Sequence, residues 1–173
     1  MCLMRREIIS QPDENKSDTL VAYCSCTGNT GKIAEYLINM THADSYVIEA
    51  EVPYTVEDLA YNNSSCRSNQ EQGNKSARPA ISKPLESIEN YDVIYLGYPI
   101  WWSEEPRIID TFLESYNFSD KIVIPLCTSG NSAIGNSSDN LKNLANSGNW
   151  FSGERLETDI SENDIKSWIS SLN

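Results

Sequence analysis

The stretch Thr19–Met40, TLVAYCSCTGNTGKIAEYLINM, decides the fold. TLVAYCS (19–25) is mostly apolar and compatible with β structure, and it runs into the small polar loop CTGNT. An apolar run bounded by turn residues fits a buried strand. GKIAEYLINM (31–40) then places Ile33, Ala34, Leu37 and Ile38 at helical spacing, so the segment reads strand–loop–helix.

The same unit recurs along the chain. SYVIE (45–49) predicts a second strand, and YDVIYLGYP (91–99) a third, buried on both faces because Val93, Ile94, Tyr95 and Leu96 are consecutive. Residues 107–116 (RIIDTFLESY) put Ile108, Ile109, Phe112 and Leu113 on one helical stripe. KIVIPLC (121–127) predicts a fourth strand, with a helix near 136–146 and a weaker strand around 150–157. Ser161 is a candidate N-cap for the terminal helix ENDIKSWISSL. The stretch 53–83 is polar and irregular, with a short helix at Gln70–Lys75. Alternating strands and helices predict an α/β fold: a doubly wound, five-stranded parallel sheet of order 2-1-3-4-5. Residues 1–18 read as a polar tail or linker, and 19–173 as a single domain.

The 173 residues carry 25 Asp+Glu against 13 Lys+Arg, a net charge of −12. That balance argues against nucleic acid and anionic membranes, and favours a basic protein partner. No apolar run approaches the roughly 20 residues of a membrane helix. No leader is visible at the given start, so a cytoplasmic location is expected; an export leader upstream of that start would change this. Five cysteines (Cys2, Cys24, Cys26, Cys66, Cys127) form no Cys-x-x-Cys pair and are expected to be reduced. Cys24 and Cys26 share one side of an extended segment. They are expected to be ordinary thiols, with Cys26 facing the loop. His42, the single histidine, should lie on the surface at the far edge of the sheet.

In such a sheet the ligand lies beyond the carboxyl ends of the strands, at the switch point. Three loops should converge there. Ser25–Thr30 packs hydroxyls beside Gly28 at a helix N-terminus, which suits a phosphate. Pro99-Ile100-Trp101-Trp102 offers flat aromatics for stacking on a planar ring, the alternative being one core and one lid tryptophan. Thr128–Gly135 offers small donors for the edge of a heterocycle. A Walker loop fails at Cys26 and Ile33, no G-x-G-x-x-G occurs, and Tyr98-Pro99 stand where a receiver domain needs aspartate. Together the three loops describe a mononucleotide site suited to FMN.

SCTGNT (25–30), YDVIYLGYPIWW (91–102) and IPLCTSGNSAIG (124–135) resemble the flavodoxin-like family, in particular its bacterial branch with a Trp-Trp flavin loop. YNNSSCRSNQEQGNKSARPAI (61–81) is similar to the Arg- and Gln-bearing insert of that branch. The resemblance implies non-covalent FMN. Its phosphate would lie on Ser25, Thr27, Asn29 and Thr30, with Cys26 and Gly28 in the same loop. Its ring would lie against Pro99, Ile100, Trp101 and Trp102, and its edge on Thr128, Ser129 and Gly130, beside Asn131. Relatives carry glycine where Ser103, Asn131 and Ala133 stand, and glycine permits positive φ. No catalytic acid, base or nucleophile is expected. The implied function is electron transfer between redox proteins, with an FMN-dependent NAD(P)H:quinone oxidoreductase as the alternative. Glu104, Glu105, Asp110 and Glu114 are expected to form an acidic rim, each charge disfavouring an anionic reduced flavin by roughly 1 kcal/mol at about 10 Å.

Overall fold

The computed structural model describes residues 17–172. Most of the expected tail, residues 1–16, lies outside them. Asp18 belongs to the domain, because its carbonyl accepts from the Asp92 and Val93 amides at 2.7 and 3.2 Å.

The chain alternates as expected. It runs through β1 (Thr19–Tyr23), α1 (Asn29–Thr41), β2 (Asp44–Val47), α2 (Arg67–Gly73), β3 (Val93–Pro99) and α3 (Arg107–Ser115). It continues through β4 (Ile122–Thr128), α4 (Ser137–Ala145), β5 (Asn149–Trp150), β6 (Glu154–Arg155) and α5 (Glu162–Ser171). All pairings among these strands are parallel, in the order β2-β1-β3-β4-β5, with β6 also on β4. Successive residues of β1 serve opposite layers. Leu20 and Ala22 join Ile94, Leu96, Ile108, Phe112 and Leu141 on one face, whereas Val21 joins Ile33, Leu37, Ile124 and Ile165 on the other.

The single weak strand expected at 150–157 is two short pieces, and Pro125 is the reason. The carbonyls of Lys121, Val123 and Cys127 accept from this edge, so Pro125 also faces it. Proline has no N–H to offer the ladder, and pairing lapses between Val123 and Leu126. Gly153 fills the gap at φ 80, where a Cβ would meet Ile134 at 2.7 Å.

The short helix begins earlier than Gln70, at Arg67. Buried Ser68 donates to the Asp58 carbonyl at 2.6 Å, and Arg67 pairs with Glu71 at 2.7 Å one turn on. Ser161 caps α5, accepting from the Asp164 amide at 3.2 Å. His42 is exposed at the C-cap of α1. Among the described residues, no helix is long and apolar enough to cross a membrane.

Candidate functional site

β1 and β3 are neighbours whose chains continue in opposite directions across the sheet, so a crevice opens beyond their carboxyl ends. A cavity of about 350 Å³ lies there, lined by Cys26, Thr27, Thr30, Pro99, Ile100, Trp101 and Trp102, with Leu59, Tyr61 and Ser68. Two of the three expected loops therefore meet around one space.

The first loop leaves the start of α1 open to an anion. Gly28 is the N-cap at φ 90 and brings no capping side chain, and a Cβ there would meet nothing within 4 Å. The first turn contains no acidic residue. Ser25 Oγ accepts from the Gly31 amide at 3.0 Å, which fixes the loop over the helix and leaves its hydroxyl proton free to donate. Unpaired N–H groups of a first helical turn, beside hydroxyls, are what a phosphate requires. Asn29 opens the helix without lining the cavity.

The third loop stands behind the first. The Thr128 hydroxyl is buried and lies 2.8 Å from that of Thr30, joining the end of β4 to the start of α1. Arg155 braces the next turn, donating to Ser129 Oγ at 2.9 Å and to the Ser129 and Gly130 carbonyls at 3.3 Å. Ser129, Gly130 and Asn131 are exposed or partly so, and do not line the cavity.

Trp101 is half-buried, edge-on to Tyr54 at 5.2 Å between ring centroids, while Trp102 is 43% exposed. One indole is thus packed and one is at the surface, and both line the cavity. They sit on a tight hairpin in which Trp101 and Glu104 exchange backbone bonds at 2.9 and 3.0 Å. Its two central residues, Trp102 and Ser103, have φ 47 and 65. Turns with positive φ at both centres favour Asn-Gly, so this pair carries strain of roughly 1–2 kcal/mol per residue. Of Ser103, Asn131 and Ala133, where the resemblance implies glycine, only Ser103 takes positive φ; Gly135 nearby does as well. Ser103→Gly is expected to stabilise the protein by about 1 kcal/mol, raising Tm by about 2–4 °C. A melt with an unchanged or lowered midpoint would contradict strain at this turn.

The insert supplies what the spacing of residues could not show. Leu59 and Tyr61 come from the irregular stretch between β2 and α2, where no period marks a buried face, and Ser68 from the first turn of α2. Gln72 secures the hairpin, donating to the Trp101 and Glu105 carbonyls at 3.2 and 3.1 Å.

The expected acidic rim requires correction. Glu105 and Asp110 are each only 3% exposed, and Arg107 is buried between them. Arg107 bonds Glu104 and reaches Asp110 at 3.4 Å, Glu105 at 3.8 Å and the Gln72 carbonyl at 3.2 Å. Arg78 holds Glu114 at 2.7 Å and Asp110 at 3.6 Å, and Lys75 approaches Glu104 at 3.8 Å. Cations interleave with the carboxylates, so the group is an ion-pair network rather than a free negative patch. Burial pushes Glu105 up to about 7 and Asp110 to about 6, against the pull of Arg107.

An open parallel sheet with an anion-ready helix start and an aromatic hairpin at its switch point is the layout of a doubly wound α/β protein with a ligand crevice at its carboxyl edge. The sequence profile of the family Flavodoxin matches residues 18–172. Crystal structures from Bacteroides uniformis ATCC 8492 and Bacteroides eggerthii DSM 20697, both provisionally classed as flavoproteins, are similar to this chain. The first has 39% identity over 90% of this chain and 99% of that one, at TM-score 0.85. The second has 43% identity over 89% and 96%, at TM-score 0.84. A flavoprotein from Lactobacillus acidophilus NCFM, solved in complex with FMN, has 25% identity over 87% of this chain and 97% of that one, at TM-score 0.61. None of the curated proteins matches. The chain belongs to the flavodoxin family.

Proposed function

We propose that this protein binds FMN non-covalently and carries electrons between redox proteins. The observation behind this reading is the meeting of the hydroxyl-rich start of α1 and the Trp101–Trp102 hairpin around one cavity. Ser25, Thr27, Asn29 and Thr30 would hold the phosphate with the first-turn amides, Cys26 and Gly28 shaping the loop. Pro99, Ile100, Trp101 and Trp102 would face the flat ring, with Leu59 and Tyr61 opposite from the insert. Ser129, Gly130 and Asn131 would supply backbone groups for the polar edge, Thr128 acting through Thr30. The FMN-bound Lactobacillus relative supports the choice of cofactor. When bound, the flavin supplies the redox chemistry, and the protein supplies binding, orientation and field.

The partner would present a basic surface. Since Arg107 and Arg78 offset the acids of α3, the steering charge is assigned instead to exposed Glu49, Glu51 and Glu57, on the loop that also supplies Leu59 and Tyr61. Reduction by a basic flavodoxin reductase is expected to be fast and to slow steeply with added salt, and further on charge reversal at Glu51 and Glu57. Free NADH or NADPH should reduce the flavin slowly. Rapid, salt-insensitive turnover of NAD(P)H with a quinone and no reductase would contradict the carrier reading and favour an FMN-dependent oxidoreductase.

A further inference from the structure

We propose that Cys24 and Cys26 are a peroxide-responsive thiol pair whose closure to a disulfide loosens the loop at the start of α1. The two residues flank Ser25 on the run that leaves β1, and both line one small cavity. Cys24 is buried, and its amide donates to the Gly97 carbonyl at 2.9 Å, which fixes one end of the pair. Cys26 is exposed and lines the main cavity. Both thiols also line a neighbouring cavity of about 150 Å³, bounded by Val47–Ala50, Pro53 and Tyr54, which is large enough to admit a hydroperoxide.

The surroundings set the order of reaction. Cys26 is exposed to an incoming peroxide, while Cys24 is buried. The neighbouring Cys24 and nearby Arg67 also hold the Cys26 thiol below its usual range, whereas Cys26 and burial hold Cys24 well above it. The thiolate is the nucleophile, so Cys26 attacks and Cys24 resolves. Cys26 sulfur bonds to one peroxide oxygen as the O–O bond breaks, and the departing hydroxide takes a proton to become water. Cys24 sulfur then bonds to the Cys26 sulfenic sulfur, the S–O bond breaks, and a second water leaves with the Cys24 proton. Two thiols and one hydroperoxide give one disulfide; hydrogen peroxide yields two waters. Cys66, buried beside Ser68 Oγ at 3.3 Å, and Cys127, pushed up to about 12 by burial, lack this arrangement.

Closure has a mechanical consequence. Two residues of extended chain span about 6.6 Å between Cα atoms, near the upper end of the roughly 4.4–6.8 Å a disulfide accepts. Forming the bridge therefore draws in the segment that carries Ser25, whose Oγ accepts from the Gly31 amide at 3.0 Å. That contact positions the first turn of α1. The predicted effect on the cofactor rests on the FMN reading above, since the same turn would hold the phosphate.

The test uses the full chain, with and without saturating FMN, treated with stoichiometric hydrogen peroxide and mapped by peptide mass spectrometry. The expected result is the loss of two hydrogens within the peptide holding Cys24 and Cys26. Cys26→Ser should abolish it, and Cys24→Ser should leave a Cys26 sulfenic acid that dimedone traps. FMN should slow closure several-fold. The bridged protein should bind FMN at least about tenfold more weakly, with recovery on adding dithiothreitol. Oxidation that begins at Cys66 or Cys127, a pair that stays open, or a bridged protein with unaltered FMN affinity would overturn the proposal. Reduced protein that fails to bind FMN would instead contradict the FMN reading, and the cross-link would still decide the thiol chemistry.

Discussion

Replacing Arg107 with leucine is expected to destabilise the protein by about 3–5 kcal/mol, the usual result of removing one partner from a buried ion pair. Arg107 serves three carboxylates and the Gln72 carbonyl from a position only 3% exposed. Its loss leaves Glu105 with no cation beside it and Asp110 with Arg78 alone. Gln72 loses its anchor as well, and with it the hairpin that carries both tryptophans. Tm should fall by about 6–20 °C at pH 8. The loss should shrink at pH 5, where the two buried carboxyls are protonated and need no countercharge. A variant as stable as the parent at pH 8 would show that the network contributes nothing.

A pH-dependent gain is expected for Glu105→Gln. Burial raises Glu105 from 4.5 to about 7, and Asp110 from 3.8 to about 6. The folded state thus holds protons that the unfolded chain releases. Their stabilising contribution is fully present below about pH 4 and is lost as pH rises through about 6 to 7. For Glu105 the displacement corresponds to roughly 3 kcal/mol, at about 1.4 kcal/mol per pH unit. Glutamine has the shape of the protonated acid and cannot ionise. Urea melts should therefore show little difference at pH 5 and a variant more stable than the parent at pH 8. A difference independent of pH, or one favouring the parent at pH 8, would contradict a carboxyl kept protonated by burial.

Local patterns explain which parts of this arrangement could be read from the sequence. The strand–loop–helix at 19–40 was legible because the apolar period, the turn residues and the helix start all lie within one short window. The same holds for β3 and for the aromatic loop that follows it, although not for that loop's hairpin turn. The helix at 107–115 is legible as an apolar stripe, but the burial of its charges is not. Glutamates and an aspartate around a helix start normally face water, and only packing against Gln72 and α4, distant in sequence, buries them with Arg107. Leu59 and Tyr61 escaped because an irregular segment presents no periodic face, and its course is set by contacts such as Ser68 with Asp58. Pro125 was visible all along. Its effect on the edge strand was a matter of which neighbour its missing N–H would have served.

The central claim is that the start of α1 holds a phosphate ester. The most direct measurement compares FMN with riboflavin, which lacks the phosphate, by fluorescence titration of the parent and of the Ser25→Ala/Thr30→Ala variant. Hydrogen bonds to a charged group contribute about 1.5–3 kcal/mol each. The account predicts that the parent binds FMN far more tightly than riboflavin, and that the variant loses at least about tenfold in FMN affinity while its riboflavin affinity barely changes. Loss of the Thr30 contact with Thr128 through structural damage would weaken both ligands alike. Equal affinities for the two ligands in the parent, or equal losses in the variant, would contradict a phosphate site at this helix.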